Sequence, residues 1–422
     1  MSALEAAEPD VEPRRLGHWN SVVASYYVLI GATALLLVIG LVMVLSSSSV
    51  ESIDANGSAF AVFLDQAKFA LIGVPLAILL SRLPVRTYVR LAWPMLGAAV
   101  VLQLMVFVPG LGIEVGGNRN WVRLGPLTAQ PSEVVKLALA VWLGAVLARK
   151  QAYLQSWKHV FIPAVPVAGL AVGVVLIGHD LGTAMVLLLL VAGALFVAGV
   201  PLRMFAVAAA MAVGAAATLA LTSSNRMDRI TSWLSDDCNA SSDCYQTLHG
   251  TYGLASGGLG GLGLGQSREK WSYLPAAHND FIFAILGEEL GLVGTLVVLG
   301  LFGLLAVAML RVIRRHPNPF VKITTAGIVA WIIGQALINI AVVIGFAPVI
   351  GVPLPLVSAG GSALIMTLAA LGVVVAFARD EPGAAQALAT RPSVVRRSLA
   401  VVGLTRSARR ADRTPRRGAA RA

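Results

Sequence analysis

Few ionisable side chains fall inside or beside the apolar runs of this chain, and their spacing is informative. Glu133 and Lys136 stand three apart at the start of one run, Asp65 and Lys68 three apart in another, and Glu288 and Glu289 are adjacent in a third. A charge placed in hydrocarbon costs roughly 2.5–3.5 kcal/mol on insertion scales, so each is a functional candidate unless it is paired. An i,i+3 spacing puts acid and base on one helical face, and Asp65 with Lys68 reads as a structural pair that neutralises itself. Glu133 and Lys136 invite more, because Arg119 and Arg123 lie in the loop leading straight into them. Arg119, Arg123 and Lys136 would together make a cationic site suited to a pyrophosphate. Asp280 ends the stretch that begins at Lys270 and stands where another apolar run starts. Asp is a favoured helix N-cap, and a carboxylate there also suits proton abstraction; the residues alone leave both open. Lys270 is a further cation for an anionic substrate.

These groups must be held by membrane helices. The 422 residues are 57% hydrophobic and only 13% charged, with a mean hydropathy of +0.80. A soluble domain carries about 25% charged residues. Taking about 20 apolar residues per span, the chain divides into ten: 24–45, 60–80, 91–109, 130–148, 161–178, 181–200, 204–222, 281–310, 323–347 and 357–378. The expected fold is all-α, a ten-span membrane domain over 22–379 with a large extracellular loop at about 223–280. It is flanked by cytoplasmic segments 1–21 and 380–422. Orientation follows from Arg82, Arg86, Arg90, Arg149, Lys150, Lys158, Arg203, Arg311, Arg314, Arg315 and Lys322, which fall in loops on one side with both termini. Residues 1–19 mix acids and bases and do not read as a cleavable leader.

The net charge of +11 does not point to nucleic acid. From Arg379 onward eleven Arg face three acids, which supplies +8 of it. That basic tail reads as a disordered segment facing anionic lipid or a cytoplasmic partner. Cys238 and Cys244 fall in the large outer loop, where a disulfide is the default; free thiols and a metal site are the alternatives, and the nearby His249 does not complete a zinc set. Gly250 to Gly265 holds eight glycines in sixteen residues, without the Lys-Ser/Thr ending of a phosphate-binding loop; close-packed external backbone is the plainer reading. The stretch 351–362, containing Ser358 and Ser362, breaks the helical pattern with prolines and glycines. Irregular backbone at that depth lines a cavity or is buried in protein, and both serines are candidates to line such a cavity.

Several of these stretches together resemble the SEDS family (shape, elongation, division and sporulation). They are Gly117-Asn-Arg-Asn-Trp-Val-Arg-Leu-Gly-Pro126 with Gln130-Pro-Ser-Glu-Val-Val-Lys136, then Asp180-Leu-Gly-Thr-Ala184. After them come Tyr273-Leu-Pro-Ala-Ala-His-Asn-Asp-Phe-Ile-Phe-Ala284, Gly287-Glu-Glu-Leu-Gly291 and Pro353-Leu-Pro-Leu-Val-Ser-Ala-Gly-Gly-Ser362. They occur in the family's order and look closer to its division branch than to its elongation branch. Departures at Ala276, His179 and Ala359 remove no assigned charge.

The resemblance implies a ten-span peptidoglycan glycosyltransferase that polymerises lipid II beside a single-span class B penicillin-binding protein and other division proteins, at the septum. It maps the family's essential outer aspartate onto Asp280, its Glu and Lys onto Glu133 and Lys136, and its loop arginine onto Arg119 or Arg123. The implied step is an inverting displacement in which a sugar hydroxyl attacks the carbon bearing undecaprenyl diphosphate. A general base is worth about 10²–10⁴ in such a step, and the diphosphate needs cationic stabilisation more than an acid. No cofactor is required by this chemistry, and a divalent cation stays open. The rival readings are a lipid II flippase or other transporter, a non-catalytic scaffold using the basic tail, and an elongation-type polymerase.

Overall fold

With no water to bond to, the backbone of an apolar run must satisfy itself, which it does by closing into helix. The computed structural model describes residues 23–115, 118–125, 127–221, 245–271, 273–275 and 277–389. In chain order the helices are α1 (Ala24–Asn56), α2 (Ala61–Leu80), α3 (Val85–Leu104), α4 (Pro131–Arg149), α5 (Trp157–Phe161), α6 (Ala164–Ile177) and α7 (Leu181–Ala198). They continue as α8 (Leu202–Leu221), α9 (Tyr245–Gly257), α10 (Ile282–Arg315), α11 (Pro319–Val343), α12 (Gly361–Arg379) and α13 (Ala384–Ala389). Among the described residues nine helical segments are long and apolar enough to cross a bilayer. Helix α8 lies where the seventh span is expected. Cys238, Cys244 and the basic tail from residue 390 fall outside the described residues.

Most span ends move by a few residues, and three departures bear on the site. Helix α1 continues past 45 to Asn56, carrying Ser46 and Glu51. Helix α3 begins at Val85, so Arg86 and Arg90 stand in its first turns and not in the preceding loop. Helix α10 is broken at Gly291, where φ is 66° and ψ −166°.

Helix α4 is the innermost element. Every residue from Pro131 to Leu147 except Val134 is buried, as expected of a helix apolar on all sides. It packs on α3, α7 and α11. Close approach depends on small residues: a Cβ on Gly144 would stand 1.9 Å from Thr324 Oγ1 of α11. On the outer surface of the bundle Leu71, Val101 and Ile177 are exposed, a lipid-facing arrangement.

Two parts are not helical. Between α3 and α4 a three-stranded antiparallel sheet forms, in the order β1 (Gly112–Val115), β2 (Asn118–Leu124), β3 (Leu127–Ala129). The all-α expectation therefore holds for the spans but not for this loop. In β2 the side chains alternate: Asn120 and Val122 are buried, whereas Arg119 and Trp121 are half-buried and Arg123 exposed. The second part is the irregular stretch 344–360 between α11 and α12. Residues 354–358 of it are buried, packed so closely that a Cβ on Gly40 of α1 would stand 2.3 Å from Leu356 O.

Candidate active site

The stretch 344–360 gathers one of the polar clusters of the molecule. With α11 it grips the segment just before α10 by three successive carbonyls. Ala359 N donates to His278 O (2.9 Å), Ser358 Oγ to Asn279 O (2.6 Å), and Asn339 Nδ2 of α11 to Asp280 O (2.7 Å). The Asp280 side chain is half-buried, and a Cβ on Gly351, whose φ is +77°, would lie 3.6 Å from its Oδ2. Helix α1 supports the same segment, with Glu51 Oε2 3.0 Å from His278 Nδ1. The N-cap position of α10 is Phe281, one residue beyond Asp280.

Ser358 is a brace more than a cavity wall. Its hydroxyl also accepts from Leu354 N at 2.8 Å, and its carbonyl accepts from Gln66 Nε2 at 3.2 Å, while Gln66 Oε1 takes Gly360 N at 3.0 Å. Ser362, in the first turn of α12, accepts from Gln130 N at 3.0 Å and so ties the start of α4 to the same stretch.

Glu133 and Lys136 pair as their spacing predicts, with Oε1 and Nζ 2.7 Å apart and side chains only 4% and 2% exposed. Lys136 Nζ also donates to Gln335 Oε1 (3.2 Å) and lies 4.9 Å over the Trp331 ring. The ammonium is thus enclosed by a carboxylate, an amide and an aromatic face, all from α4 and α11. The arginines stand elsewhere. Arg119 Nε donates to Val106 O at 3.1 Å, and Arg123 is exposed on the same face of β2. The sheet is anchored from its other face by Asp180, the N-cap of α7, whose Oδ2 accepts from Asn120 Nδ2 (2.8 Å), Gln130 Nε2 (3.1 Å) and Thr183 Oγ1 (2.8 Å).

Lys270 joins a different group. Its Nζ donates to Gly265 O (2.7 Å) and stands 3.4 Å from Glu289 Oε1. Glu289 also accepts from Ser46 Oγ at 2.6 Å, and Glu288 accepts from Ser267 Oγ and from Arg268 N at 2.9 Å. The two acids lie in the helix of the expected eighth span, just before its break at Gly291, where they hold the loop 265–270. The glycine-rich stretch completes this joint: Leu262 N and Gly263 N donate to the carbonyls of Glu288 and Glu289, and Leu292 N to Gly258 O, each at 2.9–3.0 Å. Among the described residues no group of three or more His, Cys, Asp or Glu side chains is placed to hold a metal ion.

Gln66, Gln335, Asn339 and Ser46 carry much of this geometry and were not singled out from sequence. A signal existed for two of them. Trp331, Gln335 and Asn339 recur every four residues inside an apolar run, and a buried amide without a partner is costly.

Fold and site together define the class, a multi-pass helical membrane protein in which several buried polar groups brace one irregular segment beside a half-buried carboxylate. A model of the cell cycle protein family FtsW/RodA/SpoVE matches residues 27–382. The probable peptidoglycan glycosyltransferase FtsW of Mycobacterium tuberculosis is 42% identical over 399 residues, covering 94% of this chain and 76% of that protein. Stage V sporulation protein E of Bacillus subtilis is 35% identical, covering 82% of this chain and 95% of its own. Among solved structures, a chain of a peptidoglycan synthase complex that coordinates polymerization and crosslinking superposes with a TM-score of 0.69 at 29% identity, over 84% of this chain and 98% of that one. The rod shape determining protein RodA of Thermus thermophilus gives 0.62 at 30% identity, over 84% and 96%. The chain belongs to the FtsW/RodA/SpoVE family.

Proposed function

We propose that this chain is a peptidoglycan glycosyltransferase of cell division, which polymerises lipid II on the outer face of the cytoplasmic membrane. Asp280 is the general base. It takes the proton from the 4-hydroxyl of the incoming GlcNAc as that oxygen attacks C1 of the MurNAc joined to undecaprenyl diphosphate. The C1–O bond to the diphosphate breaks, the anomeric centre inverts, and the leaving group departs as an anion. Arg119 and Arg123, on one face of β2, meet its charge. Glu133 and Lys136 act from the buried core behind the site, and Lys270 acts through Glu289.

The observation that carries this reading is the grip on residues 278–280, in which three consecutive carbonyls are each held by a separate donor. A general base must stay within about 3 Å of the proton it takes, and a carboxylate on so constrained a backbone meets that need. Basic residues in the short loops support an orientation with both termini cytoplasmic and residue 280 outside. The likeness to a chain of a complex that coordinates polymerization and crosslinking supports a crosslinking partner, which we take to be a single-span class B transpeptidase at the septum.

The test is polymerisation of lipid II, without nucleotide, by the purified chain with that transpeptidase. Asp280→Asn is expected to lose at least 100-fold in rate while keeping the wild-type elution profile and melting temperature. Polymer of normal length and rate from Asp280→Asn would remove the base from this position. Movement of lipid II across vesicles without polymer would replace polymerisation by transport.

A further inference from the structure

Helix α11 is apolar along most of its length, yet one face carries Trp331, Gln335 and Asn339 at four-residue intervals, all at least 98% buried. Buried amides are costly unless bonded, and here each reaches out of its own helix. Gln335 Oε1 accepts from Lys136 Nζ (3.2 Å) and Trp331 Nε1 (3.0 Å), while its Nε2 donates to Pro353 O (2.8 Å). One turn on, Asn339 Nδ2 donates twice, to Val352 O (2.8 Å) and Asp280 O (2.7 Å). A continuous path therefore runs from the Glu133–Lys136 pair, through two amides and the backbone of residues 352–353, to Asp280.

The last step has a geometric consequence. Asp280 precedes α10 and Val352 follows α11, so the two arrive from separate parts of the chain. Both are held by one amide nitrogen. The neighbour of Val352 is Gly351, the residue beside the Asp280 carboxylate. Asn339 thus sets the spacing across which that carboxylate meets the 351–353 backbone, without itself approaching the reacting atoms.

We infer that Asn339 is a positioning residue for Asp280, and that Gln335 and Lys136 form the buried end of the same brace. This rests on the reading of Asp280 as the base. A misplacement of about 1 Å far from the chemistry can cost roughly 100-fold in rate, so the effect belongs in kcat. The experiment compares wild type, Asn339→Leu, Asn339→Asp and Asp280→Asn, each purified with the transpeptidase partner. Lipid II polymerisation is measured as kcat and KM from pH 5 to 8.5, alongside melting temperature in detergent.

Asn339→Leu is expected to lose roughly 10- to 100-fold in kcat with KM within about twofold of wild type. Asn339→Asp keeps the shape and loses the donors when ionised. Relative to wild type at each pH, its activity recovers as the pH falls and its carboxyl gains a proton to donate; Asn339→Leu shows no such recovery. If Asn339→Leu does not insert, the isosteric Asn339→Asp carries the test alone. Wild-type kcat in Asn339→Asp at pH 8, or a loss that tracks melting temperature with no pH-dependent recovery, would overturn the inference. An active Asp280→Asn would instead overturn the base reading; an inactive Asp280→Asn beside a fully active Asn339→Asp would overturn only the positioning role.

Discussion

Lys136 shows what one residue's surroundings do to its role. A lysine facing a diphosphate needs donors to spare, but this ammonium is 2.7 Å from Glu133 and 3.2 Å from Gln335, with Trp331 against it. Its charge is spent inside the bundle. Removing one partner of a buried pair leaves an uncompensated charge and costs about 3–5 kcal/mol, whereas replacing both is often neutral. Lys136→Met should therefore lower the melting temperature sharply, and the double substitution Glu133→Gln/Lys136→Met should restore most of it; equal melting of the single variant and wild type would contradict the pairing. The i,i+3 spacing made this pair legible in the sequence, because it is local. Its burial and its link to Gln335 were not, since they depend on α11 arriving nearly 200 positions later in the chain. For the same reason Lys270 read as a substrate contact, while its ion partner Glu289 belongs to a helix beyond Asp280.

At the scale of elements, the joint between the glycine-rich stretch and the break in α10 is the most constrained. A helix interrupted at Gly291 leaves carbonyls and amides without helical partners, and these must be met by other backbone. Residues 258–263 meet them by running against the break. Gly261 has φ +81°, and a Cβ there would stand 2.1 Å from Glu289 O; at Gly260 nothing lies within 4 Å. Gly261→Ala should cost at least about 1–3 kcal/mol from backbone strain alone and reduce the yield of monodisperse protein. Gly260→Ala should behave as wild type. Equal thermal stability of the two variants would show that the stretch does not dock as described. Composition announced close-packed glycine backbone here, but not its partner. The sheet β1–β3 was likewise hidden, because three short strands in a loop give a weak alternation beside strong apolar runs.

For the whole molecule, the spans were legible because length and hydropathy decide them. The departures at α1, α3 and α10 arise where polar residues continue a helix or a glycine interrupts it. The bundle is also tied together where α10, α11 and α12 end and begin. There His316 Nε2 lies 3.5 Å from Asp380 Oδ2, and Glu381 is 2% exposed with neither carboxylate oxygen hydrogen-bonded. Burial pushes the Glu381 carboxyl up to about 7 from its ordinary 4.5, against the opposing pull of Arg315. A carboxyl raised on folding contributes stability that is fully present below about 4.5 and lost as the pH climbs through 7. Burial lowers the His316 imidazole, which acts in the opposite sense on the acid side. Wild type should therefore lose melting temperature relative to Glu381→Gln between pH 5 and 8, the two curves diverging as the pH rises. Parallel curves would mean that Glu381 does not titrate in that range.

The interruption of α10 also governs depth. Thirty-four residues of unbroken helix would be about 51 Å long at 1.5 Å per residue, far more than a hydrocarbon layer of about 30 Å. Such a rod would lift residue 280 well into the water. Turned at Gly291, only residues 292–315, about 36 Å, need follow the bilayer normal. The residues before the turn need not share that direction, so the break shortens the rod that separates residue 280 from the hydrocarbon layer by about nine residues, or roughly 13 Å.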